Sequence, residues 1–356
     1  MSVKRLELIY TGGTLGMLPG TQGLTPGHDL WQQIQSTPLS AWLQQQDWAL
    51  SLHPLDPLLD SSHMQPAHWF KLAALIQQRL TQVDALVVVH GTDTLSWTAC
   101  ALYWLLGALD KPVVLTAAQR PLTAENSDAP ANLQLALSHA SMAGTQGVML
   151  ALHGEIWHPE GLRKIDTQHW PAFAAPYVTP LVSGAAVQVL PPAPELAVSS
   201  ETLMNWSQRP DPLRILRLPL TPGLEDSWLS QQLAGWSQLD GLILEGLGSG
   251  NAPRLPASFA QLARLARQGL WIGLISQCWR GQLSDQYAAQ LPLDDSLFCR
   301  LPEQTPETAE ARLACLLTYK KAGLLSHAQV KTYWAINARE LQKSGSLDGA
   351  PGPAAD

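Results

Sequence analysis

Three stretches of this sequence put hydroxyls, carboxylates and a lysine at points where the chain must turn. Thr11-Gly12-Gly13-Thr14 closes an apolar run. Its two glycines allow a tight turn and a close approach of backbone to a ligand, which leaves the Thr14 hydroxyl presented at the turn. His90-Gly91-Thr92-Asp93-Thr94 closes a second apolar run, with a carboxylate and two hydroxyls where a helix begins. Thr92 or Asp93 could cap that helix, and capping alone would account for these residue types. The same helix N-terminus favours negative charge and could hold a substrate carboxylate. Asp93 could pair with a substrate ammonium or with a lysine. Asp60-Ser61-Ser62 reads as a loop or a cap. Lys164 follows Arg163 in a loop. Such a lysine is ordinarily solvated, but a desolvated lysine beside an aspartate can take a proton from a hydroxyl. No GxGxxG or GxxxxGK[ST] pattern is present, so no phosphate-cradling loop is expected.

The elements that must carry these residues alternate between two periodicities. Arg5–Tyr10 and the continuous apolar run Asp84–His90 read as strands, the second as a parallel strand buried on both faces. Pro112–Ala118 and Gly147–Leu152 read likewise. Pro66–Leu80, Thr94–Ala108 and Ala129–Met142 read as helices, with Pro66 suited to a first turn. The five prolines of 190–212 break the pattern and suit a connector. A second block then alternates strand and helix: Leu213–Leu218, Glu225–Trp236, Leu239–Leu244, Pro256–Arg267, Leu270–Ser276 and Pro306–Tyr319. Ser326 reads as the N-cap of a last helix running to about Gln342. The expected fold is α/β with two domains. Residues 1–190 form a larger domain, a mostly parallel sheet with helices on both faces, and 213–345 form a smaller α/β domain. Residues 191–212 are expected to link them, and the Gly/Pro/Ala-rich tail 346–356 to be disordered. Sites in open α/β sheets form beyond the carboxyl ends of strands, which is where the motifs fall.

Composition narrows the classes. Of 356 residues, 46% are apolar, ample for a large core, so disorder as the main state is excluded. Twenty-two basic against 29 acidic residues give a net charge of −7 with no basic run, so nucleic acid is not an expected partner. No segment approaches the roughly 18 consecutive apolar residues of a membrane helix. Met1–Tyr10 is interrupted by Glu7 and reads as a strand, not a signal peptide, so a cytoplasmic location is expected. Cys100, Cys278, Cys299 and Cys315 lack CxxC spacing and read as buried reduced thiols, with no metal site expected.

Taken together, the order and positions of these motifs resemble the bacterial L-asparaginase family, and in particular its cytoplasmic type I branch, over nearly the whole chain. Thr11–Thr14 and His90–Thr94 match the family's two threonine motifs. Pro57–Met64, which includes Asp60, Ser61 and Ser62, looks like the loop that holds the substrate backbone. Gln119–Leu122, Ser127-Asp128 and Asn132-Leu133 match the stretch after the fourth strand, and Gly248–Pro253 and Ser276–Cys278 the signatures of the second domain. The resemblance implies cofactor-free hydrolysis of the side-chain amide of L-asparagine. It makes Thr14 the nucleophile, and Thr92, Lys164 and Asp93 a second hydroxyl–base–orienter set. Ser61 and Asp93 would grip the α-carboxylate and α-ammonium groups, Glu307 would lie near that ammonium, and Asn251 would reach a neighbouring subunit's site in a homodimer or homotetramer.

The sequence departs from the family pattern mildly at Leu162-Arg163 and Leu244-Glu245-Gly246, and most in the mobile loop. Type I members read roughly Gln-Gly-Tyr in the mobile loop after the first motif, and the tyrosine helps activate the nucleophile. This sequence reads Gln22-Gly23-Leu24. Leucine can neither hydrogen-bond nor relay a proton. Thr25 could substitute, Lys164 could act through Thr92, or the protein could be a slow amidohydrolase, one of altered substrate preference, or a catalytically impaired amino-acid-binding homologue.

Overall fold

Among the described residues, twelve strands and six helices lie between Lys4 and Ser207. They are β1 (Lys4–Tyr10), β2 (Met17–Gly20), β3 (Gly23–Pro26), β4 (Trp48–Pro54), β5 (Ala85–Val89), β6 (Pro112–Thr116), β7 (Gly147–Leu152), β8 (Glu155–Trp157), β9 (Arg163–Lys164), β10 (Phe173–Ala174), β11 (Val182–Ser183) and β12 (Ala186–Val187). The helices are α1 (Leu30–Gln35), α2 (Leu39–Leu43), α3 (Pro66–Leu80), α4 (Leu95–Leu106), α5 (Ala129–Ser141) and α6 (Ser200–Ser207). This computed structural model describes residues 3–20, 23–27, 29–183, 186–187, 196, 198–284, 296–301 and 303–336.

Eight strands form one sheet in the order β12-β11-β8-β7-β6-β5-β1-β4. From β4 to β7 every pairing is parallel, and β8, β11 and β12 continue the sheet antiparallel. Ala85, Val87 and Val89 of β5 pack in one apolar cluster with Leu133, Ala136 and Leu137 of α5. The alternate positions Leu86 and Val88 are equally buried. A strand covered on both faces has no polar side, which is why its sequence shows no alternation. The short hairpins β2–β3 and β9–β10 stand apart from this sheet.

The chain divides into two units between Arg209 and Pro210. The second carries β13 (Ile215–Pro219), β14 (Gly241–Gly246), β15 (Trp271–Ser276) and β16 (Phe298–Arg300), all parallel in that order. It also carries α7 (Asp226–Ala234), α8 (Pro256–Arg267), α9 (Pro306–Lys321) and α10 (His327–Ala335). Phe259, Leu262 and Leu265 on one side of α8 join Leu242, Leu244, Ile272 and Leu274 in its core.

The α/β class, the parallel strands and most element positions agree with the sequence reading, and the differences have local causes. The expected connector contains α6. Ser199 caps it by accepting from the Thr202 N–H, and buried Trp206 packs edge-on against Phe70 of α3. Ahead of the Asp60 loop, WALSLHP (Trp48–Pro54) pairs along β1 as an edge strand with half-exposed alternation. Ser326 does cap the last helix through a reciprocal capping box with Gln329. The remainder expected to about Gln342, and the tail 346–356, lie outside the described residues. The four cysteines are free thiols, but only Cys100 and Cys315 are buried; Cys299 is half-buried and Cys278 exposed.

Candidate active site

Two glycines make the convergence of the motifs possible. After β1 the chain turns through Gly12 at φ 121° and Gly13 at φ 89°. A Cβ on Gly12 would lie 2.2 Å from the Leu59 carbonyl oxygen, and one on Gly13 would lie 2.4 Å from the Gly91 Cα. Backbone therefore touches backbone where any side chain would hold it away. Thr11 fixes the turn, since its N–H and its hydroxyl both donate to the Val89 carbonyl at 3.0 Å. Thr14 then opens a single 3₁₀ turn, half-buried. Among the described residues its hydroxyl has no hydrogen-bond partner. Tyr10 packs its phenol against Gly16, and burial pushes its pKa up to about 12.

The second motif follows β5. The His90 N–H donates to the Thr116 carbonyl, and the imidazole is wholly buried with Nδ1 at 2.8 Å from the Gly91 carbonyl oxygen. A carbonyl only accepts, so Nδ1 carries the proton. Burial pulls the His90 pKa down to about 4, so the ring is neutral at pH 7. The α4 cap falls one or two residues later than expected. It is Thr94, whose hydroxyl accepts no hydrogen bond from the helix and instead donates to the Ser61 carbonyl at 2.8 Å. Thr92 and Asp93 are thus not spent on capping. Lys164, at the end of β9, lies 2.8 Å from Thr92 Oγ1 and 2.7 Å from Asp93 Oδ1 through its Nζ. Residues 72 and 71 positions apart in sequence form one hydrogen-bonded set.

Asp60 does cap, accepting from the Ser62 N–H at 2.8 Å, and that bond holds its carboxyl below the ordinary range. Ser61 is buried against Gly91, where a Cβ would lie 2.3 Å from Ser61 Oγ. Ser62 is exposed. Thr14, Asp60, Ser61, Ser62, Thr92, Asp93 and Lys164 all belong to the first unit. Asn251 and Glu307 belong to the second. Asn251 closes a turn with Leu247 through paired backbone hydrogen bonds of 2.8 Å, and its Oδ1 is buried without a hydrogen-bond partner among the described residues. Glu307 is buried in the first turn of α9. Among the described residues no group of three or more His, Cys, Asp or Glu side chains could hold a metal ion. Nor is any helix among them long and apolar enough to cross a membrane.

The sequence places some supporting residues without showing what they hold, and misses others. Asp128 accepts from the Gln119 and Arg120 N–H groups and from Asn132 Nδ2, which ties the loop after β6 to α5. The four-residue spacing of Asp128 and Asn132 on one helix face was a signal. Buried Glu160, four residues before Lys164, accepts from Trp104 Nε1 at 2.7 Å. Nothing in the sequence joins those two.

Comparison with known proteins identifies the family and the fold. Residues 5–192 match the model for the asparaginase N-terminal domain, and residues 214–330 that for the glutaminase/asparaginase C-terminal domain. The chain is 32% identical over 289 residues to L-asparaginase 1 of Escherichia coli (strain K12), covering 80% of this chain and 82% of that one. It is 31% identical over 334 residues to the 60 kDa lysophospholipase of Mus musculus, covering 88% of this chain but 58% of that protein, so the chain spans little more than half of that relative. The crystal structure of L-asparaginase I from Vibrio cholerae superposes with a TM-score of 0.77 at 28% identity, covering 96% of this chain and 99% of that one. A large parallel-rich sheet followed by a smaller parallel sheet is the two-domain asparaginase fold. The chain belongs to the asparaginase family of amidohydrolases.

Proposed function

We propose that this protein is an L-asparaginase, hydrolysing the side-chain amide of L-asparagine to L-aspartate and ammonia. The observation that carries the reading is Lys164 Nζ within hydrogen-bond distance of both Thr92 Oγ1 and Asp93 Oδ1, beside the turn that presents Thr14. An amide is a poor electrophile, so its hydrolysis needs an activated hydroxyl, a proton route to the leaving ammonia and a site for the developing oxyanion. In this reading Thr14 Oγ1 attacks the amide carbon. Its proton passes to the departing nitrogen, the C–N bond breaks, and an ester on Thr14 remains. Water then attacks the ester, its proton passing through Thr92 to the Lys164 amine, which Asp93 orients; the C–O bond to Thr14 breaks, the proton returns to Thr14 Oγ1, and L-aspartate leaves. Backbone N–H groups at the start of α4 face the oxyanion. Ser61, held between Asp60 and Ser62, and Asp93 grip the α-carboxylate and α-ammonium groups. No cofactor takes part.

Ammonia release tests the reading. Wild type should turn over L-asparagine, while Thr14→Ala and Lys164→Met should each lose on the order of 10²–10⁴ in rate or more. Ordinary turnover by either variant would remove its assigned role. The working form in this reading is a cytoplasmic homodimer or homotetramer, with Asn251 Oδ1 accepting from a group outside its own chain. Light scattering showing a fully active monomer would overturn that part. A second reading, a same-fold amidohydrolase of another amide, rests on Leu24. It lies opposite Pro19 in the β2–β3 hairpin, 48% exposed, where it offers no hydrogen bond. Comparing kcat/KM for L-asparagine and L-glutamine separates the two.

A further inference from the structure

We infer that His153 is a positioning residue for Lys164: its Nε2 accepts a hydrogen bond from the Ala172 N–H and so fixes the hairpin that carries the lysine. The catalytic consequence rests on the asparaginase reading above; the anchoring does not.

The β9–β10 hairpin needs an anchor. Its strands are two residues long, pairing only Arg163 with Ala174 and Lys164 with Phe173. An isolated ribbon of that size has little stability in water. The Ile165 N–H adds a bond of 2.8 Å to the Ala172 carbonyl. Ala172 is itself buried, so its N–H requires a partner, and His153 Nε2 supplies one at 3.2 Å. His153 is in turn held from the core. It turns the chain between β7 and β8 at φ 53°, in the left-handed region, and its own N–H donates to Asn132 Oδ1 at 2.9 Å. Asn132 is buried on α5, and its Nδ2 donates to the Ala117 carbonyl at 3.0 Å and to Asp128 at 3.3 Å. A continuous path therefore runs from α5 through Asn132 and His153 to Ala172, directly beside Lys164. No step of the proposed chemistry uses His153 for anything else.

Only a neutral imidazole accepts through Nε2. Protonation would set a second N–H against that of Ala172. Burial lowers the His153 pKa, opposed by the carboxylates of Asp128 at the start of α5 and Glu155 on β8. The anchor is thus intact at neutral pH and is lost as pH falls through that lowered value.

Two variants separate reach from charge. Asparagine suits the left-handed turn but is too short to meet Ala172; glutamine carries a non-titrating acceptor about as far as Nε2. In hydrogen exchange at pH 7, His153→Asn should exchange faster over 163–174 than wild type, and His153→Gln should keep its protection. In ammonia release, His153→Asn should lose on the order of tenfold to a hundredfold in kcat with KM little changed. His153→Gln should recover most of that and shift the acid limb of the pH profile. Unchanged exchange over 163–174 in His153→Asn overturns the anchoring, whatever the substrate. Faster exchange with wild-type kcat overturns the positioning role. A wild type that releases no ammonia refutes the asparaginase reading instead, and the exchange result still decides the anchoring.

Discussion

Residue by residue, the site depends on groups whose size matters as much as their chemistry. Gly13 adopts a left-handed conformation, and its missing Cβ is the space through which β1's turn meets Gly91. Gly13→Ala should cost about 2–4 kcal/mol by chemical denaturation and should displace Thr14, with turnover falling further than stability. Leu24 presents the opposite case, an exposed side chain on a hairpin edge. Leu24→Tyr should leave the melting temperature within about one degree, since the position packs against little. If the family tyrosine's role can be restored there, the same variant should raise kcat for L-asparagine. An unchanged kcat would mean that proton transfer at Thr14 already proceeds without it.

At the scale of elements, the large sheet is tied to its helices by polar contacts that the apolar pattern does not reveal. Glu7 is fully buried on β1 and meets the Arg79 guanidinium of α3 in a bidentate pair, with Nε at 2.8 and 3.0 Å from its two oxygens. Removing one partner of such a pair leaves a buried charge uncompensated. Arg79→Met should therefore destabilise the protein by about 3 kcal/mol, whereas Glu7→Gln with Arg79→Met should recover part of the loss. A double-mutant cycle measures the difference. Smaller devices serve the same purpose: Lys4 Nζ reaches the Ser141 carbonyl at the end of α5, and Lys111 Nζ the Leu80 carbonyl at the end of α3. Both satisfy terminal carbonyls that a helix cannot satisfy itself.

For the whole molecule, histidines whose charged form the fold disfavours set the acid limit. His68, His90, His139, His153 and His327 all have pKa values lowered first by burial. A histidine harder to protonate in the fold than in the unfolded chain contributes stability that is fully present above the unfolded pKa near 6.5. That contribution is lost as pH falls toward the folded value. His90, lowered to about 4, contributes up to about 3 kcal/mol alone. Urea midpoints should decline steadily from pH 6.5 to 4, before most carboxylates titrate. A flat profile over that interval would contradict the buried neutral state of His90.

The sequence by itself determined the α/β class, the parallel central strands and the positions of the threonine motifs. These depend on local information: apolar runs, glycine turns and caps that a few neighbouring residues encode. Thr14, Thr92 and Asp93 stood out for that reason, whereas Lys164 read as an ordinary solvated lysine until the resemblance singled it out. What only the tertiary structure decided is which polar groups meet. Thr92 or Asp93 read as a cap until Thr94 took that position and left both to Lys164. α6 was hidden by the prolines around it, because its helix depends on burying Trp206 against Phe70 of α3. The path from Asn132 through His153 to Ala172 left no mark in the sequence at all. A hydrogen bond between residues far apart in the chain requires only that the fold bring donor and acceptor to about 3 Å, and no periodicity or spacing records that.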